Sequence, residues 1–117
     1  MRHVFKIAIT SLAAAALAAG CASTPLKTEA STSGIRAAEE VGAASVPQAS
    51  LHLQLAKEEL ARAKSLAAND QKEQADSMLL RAEADAELAV ALSRVDAEKT
   101  EARAAVERVR QLRLDNK

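Results

Sequence analysis

Apolar residues between Gln48 and Ala68 recur at alternating steps of four and three. They are small or aliphatic: Ala49, Leu53, Ala56, Leu60, Ala63 and Ala67. Positions at these steps lie on one face of an α-helix, as they do in a coiled coil. Proline is well tolerated in the first turn of a helix, so Pro47 fits its start. We therefore predict a helix over residues 47–68.

A short polar interruption follows this helix at Asn69-Asp70. Asparagine can adopt the left-handed backbone conformation that ends a helix. Asp70 with Glu73 three residues later resembles a capping box, which marks the start of a helix. A stop signal beside a start signal predicts a tight turn between two antiparallel helices.

The sequence from residue 71 to residue 114 contains no glycine or proline, and it predicts one long helix of about 65 Å. Its first apolar stripe consists of Ala75, Leu79, Ala82, Ala86 and Ala89. Its second stripe consists of Leu92, Val95, Ala102, Val106 and Val109, and Lys99 interrupts it. Two successive steps of three separate the stripes, so the apolar face shifts around the helix between them.

A shorter helix is predicted over residues 35–44, where Ile35, Ala38 and Val41 recur every three residues and Ser33 can cap the start. If the chain continues past Pro47 in the same direction, this helix lies beside residues 95–105. About a dozen C-terminal residues then lack a partner. The predicted fold class is all-α: an antiparallel helical hairpin, coiled-coil-like, with one long C-terminal helix, in a helical domain over residues 35–117.

The first 20 residues have the three parts of a secretory signal peptide. Arg2 and Lys6 give a positive start, an apolar run over 7–18 follows, and small residues lead to Cys21. That run is too short to span a bilayer, which needs about 20 apolar residues. The cysteine directly after Gly20 resembles the lipobox of bacterial lipoproteins, although the position three residues earlier is alanine rather than the preferred leucine.

The lipobox resemblance implies cleavage before Cys21 and acylation of this cysteine, the only one in the chain. Two or more acyl chains anchor a protein stably, because each buried CH₂ contributes about 0.8 kcal/mol. The alternative is a free thiol in an ordinary exported protein. Ala22 is not the aspartate that the lipoprotein sorting rule associates with inner-membrane retention, so the periplasmic face of the outer membrane is expected. Residues 21–34 are predicted to be a flexible tether.

Composition argues against nucleic-acid binding by the processed chain. Removing Arg2 and Lys6 from the 16 basic residues leaves 14, against 16 acidic residues. A nucleic-acid-binding protein of this size needs a basic excess. The single Phe, Phe5, belongs to the signal, so the processed chain has no Trp, Tyr or Phe on which a base or sugar could stack.

No residue pattern indicates a reaction, a cofactor or a metal. His52 is the only histidine after the signal and has no second ligand at helical spacing, so an exposed structural role is expected. The carboxylates of Glu83, Asp85 and Glu87 are interpreted as a solvated face. The four arginines at 103, 108, 110 and 113 suit the negative end of a helix dipole, with contact to anionic lipid or cell-wall polymer as the alternative.

The run from Val46 to Leu112 resembles a family of small Ala-rich helical bacterial lipoproteins of unknown function. The resemblance rests on Pro47 before an Ala-Leu-rich helix, on the Asn69-Asp70 turn, and on the Ala-Glu-rich stretch over 82–89. Some members of that family carry a following OmpA-like peptidoglycan-binding domain, and no such domain is expected here. The family supplies no catalytic residues to transfer.

These features predict a non-enzymatic envelope lipoprotein that is anchored through Cys21 and acts as a structural or interaction module in the periplasm. Expected partners are membrane lipid, a second copy of the chain, an envelope protein or peptidoglycan. One alternative is a Braun-type lipoprotein joined to peptidoglycan through Lys117, although the residues before this lysine differ from those of that group. Another is a periplasmic chaperone-like binder.

Overall fold

A computed structural model describes residues 25–116 of the chain, and within this range it is an all-α protein. The elements are α1 (Glu29–Glu40), a short 3-10 helix (Ala43–Ser45), α2 (Pro47–Ala68) and α3 (Lys72–Asp115). The predicted fold class is confirmed. At a rise of about 1.5 Å per residue, the 44 residues of α3 extend over about 66 Å.

Helices α2 and α3 form the predicted antiparallel hairpin. Ala75, Leu79, Ala82, Ala86 and Ala89, the whole first stripe of α3, are buried. Of the α2 stripe, Ala49, Leu53, Ala56 and Ala63 are buried, and Leu60 and Ala67 are half-buried. Because most of these side chains are alanine, the two helices approach closely and bury little apolar area per residue.

The turn of the hairpin differs in detail from the prediction. Asp70, not Asn69, has the left-handed conformation, with φ of 58°. Asn69 has φ of −101° and donates from Nδ2 to the carbonyl oxygen of Ser65 at 2.9 Å. Gln71 precedes α3, and no side chain caps that helix, so the predicted capping box of Asp70 and Glu73 is wrong.

Helix α1 begins six residues before the predicted start. The flexible tether predicted for residues 21–34 is wrong over residues 29–34, and the cap predicted at Ser33 is wrong, because both lie inside the helix. Tertiary packing explains the difference: Ser31, Ile35 and Ala38 are buried against the hairpin, and Ser31 Oγ donates to the carbonyl oxygen of Leu79 at 3.0 Å. This packing compensates for the weak helix propensity of serine and glycine.

The C-terminal end of α1 is also earlier than predicted, at Glu40 rather than at residue 44. Gly42 has φ of 77°, and its amide donates to the carbonyl oxygen of Glu39 at 3.0 Å. Glycine adopts this left-handed conformation without steric cost, so it ends helices efficiently. The 3-10 helix that follows completes a reversal of the chain before Pro47.

The reversal places α1 on the first half of α3, not beside residues 95–105. Ser31 contacts Leu79, and a Cβ added to Gly34 would lie 3.1 Å from the Cβ of Ala86. The residue numbers of the two helices increase together, so α1 runs parallel to α3 and antiparallel to α2. The predicted position of α1 is therefore wrong, because the chain turns back at Gly42 instead of continuing in one direction.

The three helices share one small core. It consists of Ile35, Ala38, Ala43, Ala49, Leu53, Ala56, Ala86 and Ala89, with Val46, Leu60, Val90 and Leu92 at its margin. The last buried residue of α3 is Ser93, whose Oγ donates to the carbonyl oxygen of Ala89 at 2.8 Å. Every residue from 94 to 116 is exposed. We call residues 96–115 of α3 the projecting segment.

Candidate functional site

The two residues that the sequence singles out for covalent attachment, Cys21 and Lys117, lie outside the described residues, as does the predicted signal peptide over 1–20. Acylation of Cys21 and attachment of Lys117 to peptidoglycan stay predictions. The described chain contributes three other features: a polar cluster between α2 and α3, the end of the bundle next to the start of the described chain, and the surface of the projecting segment.

The polar cluster lies where the middle of α2 faces α3. His52 Nδ1 lies 2.7 Å from Asp85 Oδ1, and Arg81 Nε donates to Glu59 Oε1 at 3.0 Å. The side chains of His52 and Asp85 are 26% and 22% exposed. The sequence-based interpretation of an exposed histidine and a solvated Asp85 is therefore wrong, because facing helices cover both groups. Neither could be paired with the other from sequence before the hairpin register was known.

Glu59 is the most enclosed carboxyl of the cluster, with a side chain only 12% exposed. Burial raises the pKa of Glu59 above its ordinary value of 4.5, and Asp85 raises this pKa further by hydrogen bonding to the protonated form and by charge repulsion. Arg81 acts in the opposite direction. Glu59 Oε2 is buried without a hydrogen-bond partner. A proton on this oxygen would provide the donor that two adjacent carboxylates lack.

The cluster provides polar contacts between α2 and α3. Within residues 25–116, no group of three or more histidine, cysteine or acidic side chains converges as metal ligands do. The contacts join α2 to α3 at two levels, through His52 with Asp85 and through Glu59 with Arg81. They mark the register in which the two alanine-rich faces pair, with His52 of α2 beside Asp85 of α3.

One end of the bundle brings the start of the described chain beside the hairpin turn. A shallow groove there is lined by residues from both places, among them Pro25, Lys27, Lys72, Asp76 and Leu80. This arrangement follows from the parallel direction of α1 and α3. The projecting segment leaves the bundle at the opposite end, beside Val46 and Pro47.

The projecting segment carries an uncovered apolar face. Val106, Val109 and Leu112 are 70%, 50% and 56% exposed, and Val95 just before the segment is 43% exposed. A shallow surface groove near the C-terminal end is lined by Ala105, Val106, Val109, Arg110, Arg113 and Leu114. The second stripe of the sequence is thus exposed from Val95 onward, whereas its first member, Leu92, is half-buried at the margin of the core.

In the described part of the chain, no helix combines the length and the apolar character that a bilayer span requires. Comparison with known proteins finds no matching protein family, no similar curated protein and no similar solved structure. The inference of function therefore depends on the sequence pattern and on the geometry of this chain.

Proposed function

We propose that the protein is a non-enzymatic lipoprotein of the bacterial cell envelope, anchored by acylation of Cys21 on the periplasmic face of the outer membrane. The positive, apolar and small-residue parts of the first 20 residues support export, and the cysteine after Gly20 supports lipid attachment. On the membrane the protein acts as a structural and interaction module. Its helical bundle is the base, and the projecting segment is the part that contacts other molecules.

The observation that carries the proposal is the short distance along the chain between Cys21 and the bundle. Pro25, which lines the groove at the bundle end, follows Cys21 by only four residues. Four residues of extended chain span at most about 14 Å. Acyl chains at Cys21 would therefore hold this end of the bundle close to the bilayer.

The direction of α3 then determines which part of the molecule reaches away from the membrane. Pro25 and Lys27 line the groove beside Lys72, where α3 begins. Since α3 runs away from this end, the projecting segment of a single anchored copy would point away from the membrane surface. Its apolar stripe would stand about 35–65 Å from the hairpin turn, at 1.5 Å per residue.

Metabolic labelling with radioactive palmitate tests the anchor. We expect the wild-type protein to incorporate label and Cys21→Ala to incorporate none, because this variant lacks the acylated thiol. An Ala22→Asp variant provides a test of location: the sorting rule predicts that it stays labelled but fractionates with the inner membrane. Equal labelling of wild type and Cys21→Ala would overturn the proposed anchor.

The orientation can be measured with a fluorophore on an introduced cysteine, since acylation consumes the native thiol. Vesicles contain a headgroup quencher and protein at a density too low for association. Asn69→Cys at the hairpin turn should be quenched strongly, and Asn116→Cys at the far end of α3 should be quenched weakly. Similar quenching at the two positions would show that the helix of a single copy does not project from the membrane.

The interaction role is tested by photo-crosslinking in intact cells. A photoreactive amino acid at Val106, which is 70% exposed on the apolar stripe, should form a discrete crosslinked product. The matched control is Ala104, which is also exposed but lies on the opposite side of the helix. Equal crosslinking at both positions, or none at Val106, would contradict a specific interaction through the stripe.

A further inference from the structure

The projecting segment combines an uncovered apolar stripe with an uneven charge distribution. Its first part, residues 96–101, carries three acidic side chains and one basic side chain: Asp96, Glu98, Lys99 and Glu101. Its second part, residues 102–115, carries four arginines and two acids: Arg103, Glu107, Arg108, Arg110, Arg113 and Asp115. One half of the segment is therefore negative, and the other half is positive.

This distribution distinguishes between the two directions in which a second copy could pack. Parallel copies would place negative half against negative half and positive half against positive half. Antiparallel copies place each negative half against a positive half. Charges that flank an apolar seam select partner and direction in coiled coils.

We propose that the projecting segments of two copies of this chain pair side by side in antiparallel orientation. The proposal names a partner for the surface described under the proposed function and rests on that function for the role of the surface. The pairing itself does not require the lipid anchor. The occupant is a second copy because the segment is complementary to itself when it is reversed.

The heptad positions of the segment allow antiparallel registers that differ by seven residues, and we propose the one centred near residue 104. Leu92, Lys99, Val106 and Arg113 occupy one seam position, and Val95, Ala102 and Val109 occupy the other. In an antiparallel pair these two positions face each other, so Ala102 meets Val106 of the second copy. Lys99 then meets Val109 of the second copy, and its aliphatic stem can cover the valine while the ammonium group reaches solvent.

The flanking charges agree with the same register. Asp96 lies beside the seam on one edge, and Arg110 lies on the same edge two heptads later. Reversing the second copy about a centre near residue 103 brings Asp96 of each copy to Arg110 of the other. The pair thus contains two symmetry-related contacts between opposite charges. Arg103, which is exposed in the single chain, faces its own counterpart at the centre, and this contact between like charges opposes the pairing.

The bundle leaves room for this arrangement. Since α1 and α2 cover only the first half of α3, most of each paired segment lies clear of the bundles, and the start of α2 approaches only its first residues, Asp96 and Lys99. The two hairpin turns then lie at opposite ends of the pair, each about 48 Å from its centre at 1.5 Å per residue. Two copies anchored in one membrane therefore pair with their α3 helices along the surface, whereas an unpaired copy projects from it.

Disulfide trapping tests the register in a full chain that carries Cys21→Ser and so lacks a native thiol. Lys99→Cys and Val109→Cys are purified separately in detergent, mixed and oxidised. We expect the mixed disulfide to exceed both same-variant disulfides, because these positions face each other only in the antiparallel pair. Predominant self-crosslinking of Val109→Cys would show a parallel pair, and the absence of crosslinking would show a monomer. Either result would overturn the proposal.

A charge exchange in the same Cys21→Ser chain provides an independent measurement by sedimentation at low salt. Asp96→Arg alone and Arg110→Asp alone should each weaken dimerisation about tenfold, since each turns two attractive contacts into repulsive ones. Mixing the two variants should restore association, because each contact again joins opposite charges. Circular dichroism checks that both variants stay helical. Failure of the mixture to associate better than either variant alone would exclude the proposed pairing.

These experiments separate the dimer from the anchor. Palmitate labelling reports on Cys21 alone, whereas trapping and sedimentation use a chain that cannot be acylated there. If the wild type is labelled but no mixed disulfide forms, the proposed lipid anchor is supported and the proposed dimer is contradicted. If the mixed disulfide forms but the wild type incorporates no palmitate, the dimer is supported and the lipid anchor is contradicted.

Discussion

At the scale of single residues, small side chains determine how closely the helices pack. A buried acid between the helices makes the free energy of unfolding depend on pH. Gly34 lies where a Cβ would approach that of Ala86 to 3.1 Å, so α1 contacts α3 almost backbone to backbone. Glu59 lies between the hairpin helices with one unpartnered oxygen. We predict the effect on stability of a substitution at each of these two positions.

Gly34→Val should destabilise the bundle by about 1–3 kcal/mol, because the added side chain meets fully buried Ala86 and forces α1 away. The matched control is Ser33→Val, at the adjacent exposed position of the same helix, which should change stability by less than about 0.5 kcal/mol. Urea unfolding followed by circular dichroism measures both values. Equal effects at the two positions would contradict the close contact.

Glu59 predicts a pH dependence with a defined sign. Its pKa is raised in the folded state, so the folded state binds the proton more tightly than the unfolded state. The free energy of unfolding should therefore rise as pH falls from neutrality through the raised pKa towards 4.5, when compared with Glu59→Gln. At still lower pH the difference should stay constant. A wild-type stability that falls relative to Glu59→Gln over this range would contradict the pKa direction.

At the scale of the elements, a helix is predicted well from sequence when the contacts that stabilise it are between residues close together in the chain. The bounds of α2 and the first stripe of α3 follow from local periodicity, because one repeating face explains each helix. The start of α1 does not, since Ser31 and Gly34 are poor helix formers whose positions are stabilised by contacts with α3. The one available signal is the spacing of Ser31, Ile35 and Ala38, which continues in steps of four and three.

The polar cluster shows the same limitation for the candidate site. His52 and Asp85 are 33 residues apart, so their contact depends on the register of the hairpin. The spacing of residues along one helix reveals only contacts between side chains three or four residues apart. Pairing α2 with α3 across Asn69-Asp70, residue by residue, is the step that brings them together.

The hairpin turn predicts a contrast between two substitutions of Asp70. Asp70→Val should destabilise the fold by about 1–2 kcal/mol, because a β-branched residue is poorly accommodated at φ of 58°. Asp70→Gly removes that steric cost and should preserve or increase stability. Thermal unfolding of the two variants beside wild type gives the comparison. A Gly variant as unstable as the Val variant would show that the aspartate side chain, rather than backbone conformation, stabilises the turn.

At the scale of the whole molecule, the part of the chain that stabilises the fold is the bundle, and the part that extends beyond the bundle is the projecting segment. Burial ends at Ser93, so the core does not depend on the segment beyond it. We predict that Leu79→Ala, in the bundle, costs about 2–4 kcal/mol, because Leu79 is only 7% exposed. Val106→Ala, which removes an exposed side chain, should cost less than about 0.5 kcal/mol in the monomer.

The two variants are compared by chemical unfolding at protein concentrations too low for association. Raising the concentration should then reveal a cost for Val106→Ala, since pairing would bury this side chain. A large cost for Val106→Ala in the dilute monomer would mean that the projecting segment contributes to the core after all.

The length of α3 sets a spacing that can change without disturbing the fold. Because α1 and α2 cover only its first half, a whole heptad inserted within the uncovered half moves the far end outward by about 10 Å and keeps the same helix face in line. An insertion of three or four residues would instead rotate that face around the rod. The length of the uncovered helix thus depends on the number of heptads, and the direction in which its apolar face points depends on their phase.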